Sequence, residues 1–534
     1  MLKVLSNDSR LNLSVNTSEN ALTPPIANTF PKRIKPYLLP PTPSNKPAKP
    51  LYENLLHRVA SASGSISNGS KSDAAMNDSL LEEAREYLED KLALVEPMSS
   101  DFPVSVDNLE VWMELNNHRV RVLYQRYLTA RKEGAPRRLF PTKSHALHFL
   151  QAVAPTKLVD GAWLYGMVNL WQDARFVSLI QIYLEELGEG NAKLNHVLLY
   201  KKLLAEHDCT QWNELEDEYF TQGTIQLALG LNAEQFIPEV IGFNLGYEQL
   251  PLHLLITAYE LKELGISPYY FTLHVTIDNI ATGHARKSLQ ALMDNLPLGT
   301  SVATQQEFLR RVSNGYKLNQ LGLSTNSIIS NFNLENEVTR IFKAKSYYGK
   351  DAHADRCRIG GKSINEWLAD PKLMPEFISC LIQNGWIKKN EPPANSRFWK
   401  LIESNPDEAS KAKMFGVFSG YEKQVIYDWI AGNYPTGTKE SNEAIGSRQP
   451  TEIDEKLSKT LRDDAQLKVV NDPQVAALEK QLASIDSFKE IMQLLSQHLS
   501  PTLHHTPAGL LATQLFSKMM YKTYDTSVMG RSSI

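Results

Sequence analysis

From residue 78 onward, apolar side chains recur at three- and four-residue intervals, the period of a helix with one buried face. The stretch 79–92 shows the pattern plainly. Ser79 supplies a cap, Glu82 and Glu83 make an acidic first turn, and Leu81, Ala84, Leu88 and Leu92 fall on one side. The same texture returns at 107–132, 143–153, 160–187, 193–207, 211–230, 234–246, 251–264 and 268–294, with Gly, Pro or Asn between most segments. Further helices are expected over 304–313 and 334–346, and a terminal pair over 474–497 and 508–522. Strand-like alternation is scarce, so the pattern predicts a mainly α protein with its core near 80–350.

Residues 360–430 read differently. Short helices are expected at 362–368, ended by Asp370-Pro371, and at 373–383, stopped by Asn384-Gly385. The stretches 386–389 and 396–401 flank a Pro-rich turn and are expected to pair as a hairpin. Two helices and a hairpin make a small α+β module resembling a winged helix. Its second helix carries no Arg or Lys after its start, whereas a DNA-reading helix needs donors toward bases and phosphates.

The first fifty residues hold nine of the 28 prolines and seven Lys/Arg against two Asp/Glu, and a Ser/Gly-rich run follows at 61–72. Such a composition buries too little apolar surface to offset its ordering entropy. The division expected is therefore a disordered segment at 1–77, with 51–60 docking as a short helix. A helical domain at 78–350, the α+β module at 351–434, a polar linker at 435–475 and C-terminal helices at 476–534 follow.

Composition narrows the function. Apolar residues make up 42% and charged residues 22% of the 534 residues, and net charge is −4, which gives no overall pull toward nucleic acid. No apolar run reaches the ~18–20 residues that span a bilayer, and the first twenty residues lack a secretory hydrophobic stretch. Three dispersed cysteines, Cys209, Cys357 and Cys380, fit a reducing, cytoplasmic setting and exclude a Cys-x-x-Cys zinc or iron–sulfur site. Motifs for a P-loop, a dinucleotide fold, a zinc protease and a hydrolase nucleophile elbow are absent, as is any internal repeat.

The chemistry-bearing residues lie in three segments. In the first, Glu186 precedes Gly188 and Gly190, and His196 begins the next helix. In the second, Glu239 stands among apolar residues of 236–248. In the third, His274 and Asp278 are four residues apart, on one helical face about 6 Å from each other. Tyr269, Tyr270, Phe271, Leu273, Val275, Ile277 and Ile280 surround them. A carboxylate beside an imidazole on so apolar a helix must be paired or metal-bound to offset its desolvation. Imidazole with carboxylate and no thiolate suits non-haem iron or manganese better than structural zinc. His353 and His253 read as structural, and His504 and His505, in a polar turn before Pro507, are expected on an exposed loop.

The order Val159-Asp-Gly-Ala-Trp-Leu, Glu-Glu-Leu-Gly-Glu-Gly with Asn-His, then His-x-x-x-Asp with Gly-His over about 160–290 resembles the haem-oxygenase-like diiron oxidases and oxygenases, a family of iron-containing redox enzymes. The resemblance implies a haem-oxygenase-like helical bundle without haem, holding two non-haem iron ions. Carried over position by position, it implies Glu186, His196, Glu239, His274, Asp278 and His284 as ligands. The chain departs from the commoner pattern in having Ala281 three residues after Asp278; a break at Gly283 would be needed to bring His284 back. Glu185 and Tyr200 are candidate partners orienting the ligands, and Trp163, Tyr183, Phe243, Tyr247, Tyr270 and Phe271 candidate pocket walls. The implied activity is Fe(II)- and O2-dependent oxidation or oxygenation of a small organic substrate, fatty-acid-like or amino-acid-like, in specialised metabolism. Its partners would be O2 and that substrate, with no membrane and no nucleic acid, and a homodimer is admitted. Two alternatives stand beside it: a cofactor-free or haem-binding enzyme on the same fold, and a non-enzymatic regulator binding nucleic acid or protein through the winged-helix-like module.

Overall fold

The computed structural model describes residues 46–62, 71–277, 283–403, 414, 416–433 and 472–529, all within the compact unit Pro40–Ile534. It is mainly helical. The helices are α1 (Ala48–Ala62), α2 (Lys71–Val95), α3 (Leu109–Lys132), α4 (Lys143–Ala152), α5 (Ala154–Lys157), α6 (Val177–Glu186), α7 (His196–Glu206) and α8 (Thr221–Leu231). They continue with α9 (Ile237–Tyr247), α10 (Leu252–Glu263), α11 (Tyr269–Ile277), α12 (His284–Asn295), α13 (Val302–Leu318), α14 (Thr325–Asn331) and α15 (Leu334–Gly349). After a two-stranded antiparallel hairpin, β1 (Arg358–Ile359) and β2 (Lys362–Ser363), come α16 (Ile364–Leu368), α17 (Met374–Gln383), α18 (Arg397–Ile402) and α19 (Gly420–Ala431). The C-terminal part forms α20 (Pro473–Ala483), α21 (Phe488–His498) and α22 (Pro507–Met529). Among the described residues no helix is long and apolar enough to cross a membrane.

Side chains at helix starts explain many of these boundaries. Asn195, Ser301, Ser324 and Asn333 each accept a backbone N–H from the first turn of the helix they precede. Ser363 and Ser419 close reciprocal capping boxes with Glu366 and Glu422. Each such cap satisfies a donor that the helix itself leaves orphaned, a contribution of about 1 kcal/mol.

Backbone contact, rather than side-chain interdigitation alone, seats the central helices. On α9, a Cβ at Gly242 would stand 1.8 Å from Val312 O; on α13, one at Gly315 would stand 2.1 Å from Glu239 O. A third close approach joins α8 to the 3-10 segment Ala162–Leu170, where a Cβ at Gly230 would meet Ala162 O at 1.9 Å. That approach is one reason 160–187 is not the single helix its periodicity predicts. Gly161, at φ +80°, turns the chain into the 3-10 segment, and α6 starts only at Val177.

Where 51–60 was expected to dock as a short helix stands α1, which buries Tyr52 and Leu55 completely, sets Tyr52 edge-on against Phe220, and holds Asp217 through Lys49 N–H at 2.8 Å. Residues 1–45 and 63–70, where disorder was expected, lie outside the described residues, as does most of the 435–475 linker. The hairpin of a winged helix does not form at 386–401. Within 397–402 the buried positions are Phe398, Trp399 and Ile402, a helical spacing, and that stretch is helical. Strand alternation would instead have buried Lys400, which is exposed. Nor does the hydrophobic core stop at residue 350. One cluster runs from Tyr127 to Ile430, with Phe342 packed on both Phe377 and Phe398, and Ser144 bonded to Asp428 across it.

The contact between α9 and α13 gives a test. Gly242→Ala or Gly315→Ala is expected to destabilise the protein by about 1–3 kcal/mol through overpacking. Val104→Ala, at a position 92% exposed, should change stability by less than about 0.5 kcal/mol; chemical denaturation of the three variants measures both.

Candidate metal centre

Helix α6 ends at Glu186 because the next residues cannot continue it. Gly188, Glu189 and Gly190 all take left-handed backbone conformations, at φ +64°, +49° and +80°. The turn closes tightly: a Cβ at Gly188 would lie 2.5 Å from Asn195 N. Asn195 then caps α7 by accepting Leu198 N–H at 3.0 Å, and His196 opens that helix. The ten-residue spacing of Glu186 and His196 is thus a helix end, a strained turn and a helix start, with both side chains facing inward at 3% and 1% exposure.

Asp160 reaches the same point from the turn before Gly161, Glu248 from the C-terminal cap of α9, and His274 from α11. His284 opens α12 immediately after Gly283, so the break that the sequence required is present; residues 278–282 before it, Asp278 included, lie outside the described residues. Two groups of potential ligand atoms result, each within 4.8 Å of one another: Asp160, Glu186, His196 and His274 form one, and Glu186, Glu248 and His284 the other. Glu186 is common to both. Its Oε2 touches His196 Nδ1 while its Oε1 lies 3.2 Å from His284 Nδ1.

Hydrogen bonds around the groups fix which atoms face inward. His274 Nδ1 lies 2.8 Å from the Tyr270 carbonyl, so its Nε2 points toward Asp160 Oδ2, at 3.3 Å. His284 places Nε2 at 2.9 Å from Glu185 and Nδ1 at 2.9 Å from Glu248. Glu185, bound in turn by Lys287, is the orienting partner expected of it. Tyr200 is not; its hydroxyl donates to the Leu150 carbonyl. Asp160 receives Tyr247 OH at 3.0 Å on one oxygen and Tyr270 OH at 2.5 Å on the other, with Lys157 at 3.8 Å.

The electrostatics are those of a cation site. Burial opposes charge on His196, but the Glu186 and Asp160 carboxylates outweigh it and raise its pKa to about 10. Burial would likewise raise Glu186, yet His196 and the hydrogen bond from His284 pull it down to about 2. Asp160 is held well below the usual carboxylate range, Lys157 and the two imidazoles overcoming its burial. The cluster therefore favours ionised carboxylates and needs positive charge among them. Glu186 Oε2 and His196 Nδ1 are in direct contact, and neither has a hydrogen-bond partner among the described residues; both would be available to hold a divalent ion. All donors are oxygen and imidazole nitrogen, a set that suits iron.

Four expected ligands, Glu186, His196, His274 and His284, are brought together. Glu239 is not. Both its oxygens are taken by the buried Arg311, at 2.6 Å from Nε and 2.6 Å from the terminal nitrogen. Nine residues separate it from Glu248, about half a turn round the helix and roughly 13 Å along it. Glu239 therefore faces α13, while Glu248 faces the cluster. Sequence alone offered no way to pair Glu239 with an arginine 72 positions away. Glu248 and Asp160 were legible only as acids in or beside the quoted motifs. Of the expected pocket walls, Trp163, Phe243 and Tyr247 stack on one another beside Asp160, and Tyr183 is fully buried.

Residues 147–320 match the family model described as iron-containing redox enzyme. No curated protein and no solved structure matches the chain. The matched segment carries every member of both clusters, and over those residues the chain is similar to the iron-containing redox enzymes.

Proposed function

We propose that the chain is a non-haem diiron oxidase or oxygenase that uses O2 to transform a small organic substrate, fatty-acid-like or amino-acid-like. The observation carrying this reading is that one buried carboxylate, Glu186, belongs to two ligand groups at once. A bridging carboxylate with a histidine-containing group on each side is what holding two metal ions close together demands. One ion would sit among Asp160, Glu186, His196 and His274, the other among Glu186, Glu248 and His284. Asp278, four residues after His274, stays in the proposed set on the family resemblance.

The iron pair, when bound, would supply the electrons that reduce O2. The protein's part is geometry and shielding. Glu185 holds His284, and the Tyr270 carbonyl holds His274, each presenting its other ring nitrogen inward. Tyr247 and Tyr270 fix both oxygens of Asp160. Trp163, Phe243 and Tyr247 form an apolar wall that keeps water from the centre. A cofactor-free or haem enzyme has no use for three buried carboxylates at this point, and the missing hairpin removes the support for a winged-helix regulator.

Anaerobic Fe(II) titration tests the ligand set. Glu186→Ala should lose both irons, and Glu248→Ala should lose one. Glu239→Gln should keep both. Arg311→Met should also keep both while losing about 3–5 kcal/mol of stability, since it strands a buried carboxylate. Oxygen-electrode measurements on the iron-loaded protein should show O2 uptake beyond free Fe(II) controls, stimulated by the right substrate; uptake no greater than those controls would refute the oxidase reading.

A further inference from the structure

A cavity of about 500 Å³ is lined by no member of either ligand group. Gly166 and Gly230 border it where the 3-10 segment meets α8, in backbone contact so close that a Cβ at Gly166 would stand 2.5 Å from Gly230 O. Other walls come from α1, α2 and α21, through Arg58, Asp78 and Gln497. All three helices lie outside the family-matched segment. The turn after α21, expected on an exposed loop, is itself packed on the 188–196 loop: Asn195 Nδ2 lies 3.0 Å from Nδ1 of His504, which is 1% exposed.

Among the described residues two arginines line the cavity, and only one is satisfied. Arg85 is bonded to Glu82 and Glu89. Arg58 is half-buried, and no described residue accepts a hydrogen bond from it or pairs with it. Only its Nε is sealed off; the terminal amino groups remain accessible. Burial pushes its pKa down, yet a guanidinium keeps its proton in a protein. Asp78 is near enough to favour that charge, but the two form no ion pair. Tyr165 shares the wall. Burial raises its pKa to about 12, so it stays a hydroxyl, and no described residue bonds it.

Opposite charges facing one partly buried cavity attract more strongly than in bulk water. A pair held apart there leaves room for a ligand that meets both, and the volume falls within the ~300–1,000 Å³ of small-molecule pockets. An anion alone would suit Arg58 but be repelled by Asp78 and by Glu234, a second exposed carboxylate on the lining. A cation alone would be repelled by Arg58. A zwitterion satisfies both sides, its carboxylate taking the guanidinium fork and its ammonium the acids. We infer that this cavity binds a free α-amino acid, carboxylate on Arg58 and Tyr165, ammonium on Asp78, at a site separate from the metal centre. The site rests on no part of the redox reading.

Calorimetric titration of the iron-free, full-length protein with each of the standard amino acids tests this, with acetate and methylamine as single-charge controls. One or more amino acids should bind once per chain, about tenfold more tightly than either control. Arg58→Gln and Asp78→Asn should each weaken that binding about tenfold, the loss expected for one hydrogen bond to a charged group. Asp78 is exposed, so its variant should fold as the wild type does. Glu248→Ala, at the metal centre, should leave the affinity unchanged. Failure of every amino acid to bind overturns the site and leaves water as the occupant. Acetate binding as tightly as any amino acid, or an Asp78→Asn variant with unchanged affinity, overturns the zwitterion. Binding lost in Glu248→Ala but kept in Arg58→Gln would move the amino acid to the metal centre and overturn this site without touching the redox reading. Amino-acid binding as predicted by protein that takes up no Fe(II) would sink the redox reading and leave this site standing.

Discussion

A carboxylate buried among imidazoles is the constraint on which the rest of the centre depends. Glu186 is almost wholly removed from water, stays ionised, and turns one oxygen toward His196 and the other toward His284. A lone buried carboxylate is costly, and Asp160 and Glu248 beside it multiply the cost. The fold accepts that cost only because cations can enter: protons on histidine without metal, metal ions when they are present. Function and instability here have the same origin.

Holding Glu186 in place takes more than its own helix. The run of left-handed residues at 188–190 lets α6 stop and α7 start within a few residues, and the C-terminal helices grip that run from outside. A Cβ at Gly190 would stand 2.3 Å from Leu510 O. The terminal helices, far away in sequence and outside the family-matched segment, are thus structurally continuous with the metal loop. At the opposite side of α9 the glycine contact with α13 fixes the rotation of that helix, and with it the direction in which Glu248 points.

Much of this was legible in the sequence, for identifiable reasons. Helical periodicity located most helices because it reports a local property, the face each segment buries. Glu186, His196, His274 and His284 were readable because each lies in a short motif whose spacing is set locally, by a glycine turn or by one helical turn. Glu239 misled because an acid in an apolar helix signals burial without saying by what it is satisfied; the answer, Arg311, lies on another helix. His504 misled for the converse reason. A polar turn reads as exposed, and only the packing of α21 and α22 over the 188–196 loop buries it. The stretch 396–401 was expected to pair with 386–389 because the two flank a Pro-rich turn, yet the buried positions of 397–402 follow helical spacing.

The central claim, that Glu186 joins two metal ions, is tested most directly by Mössbauer spectroscopy of protein loaded with enriched iron and then oxidised by air. The account predicts two ferric ions per chain, magnetically coupled into a diamagnetic pair, and loss of that coupled signal in Glu186→Ala. A single, magnetically isolated iron in the wild-type protein would contradict it.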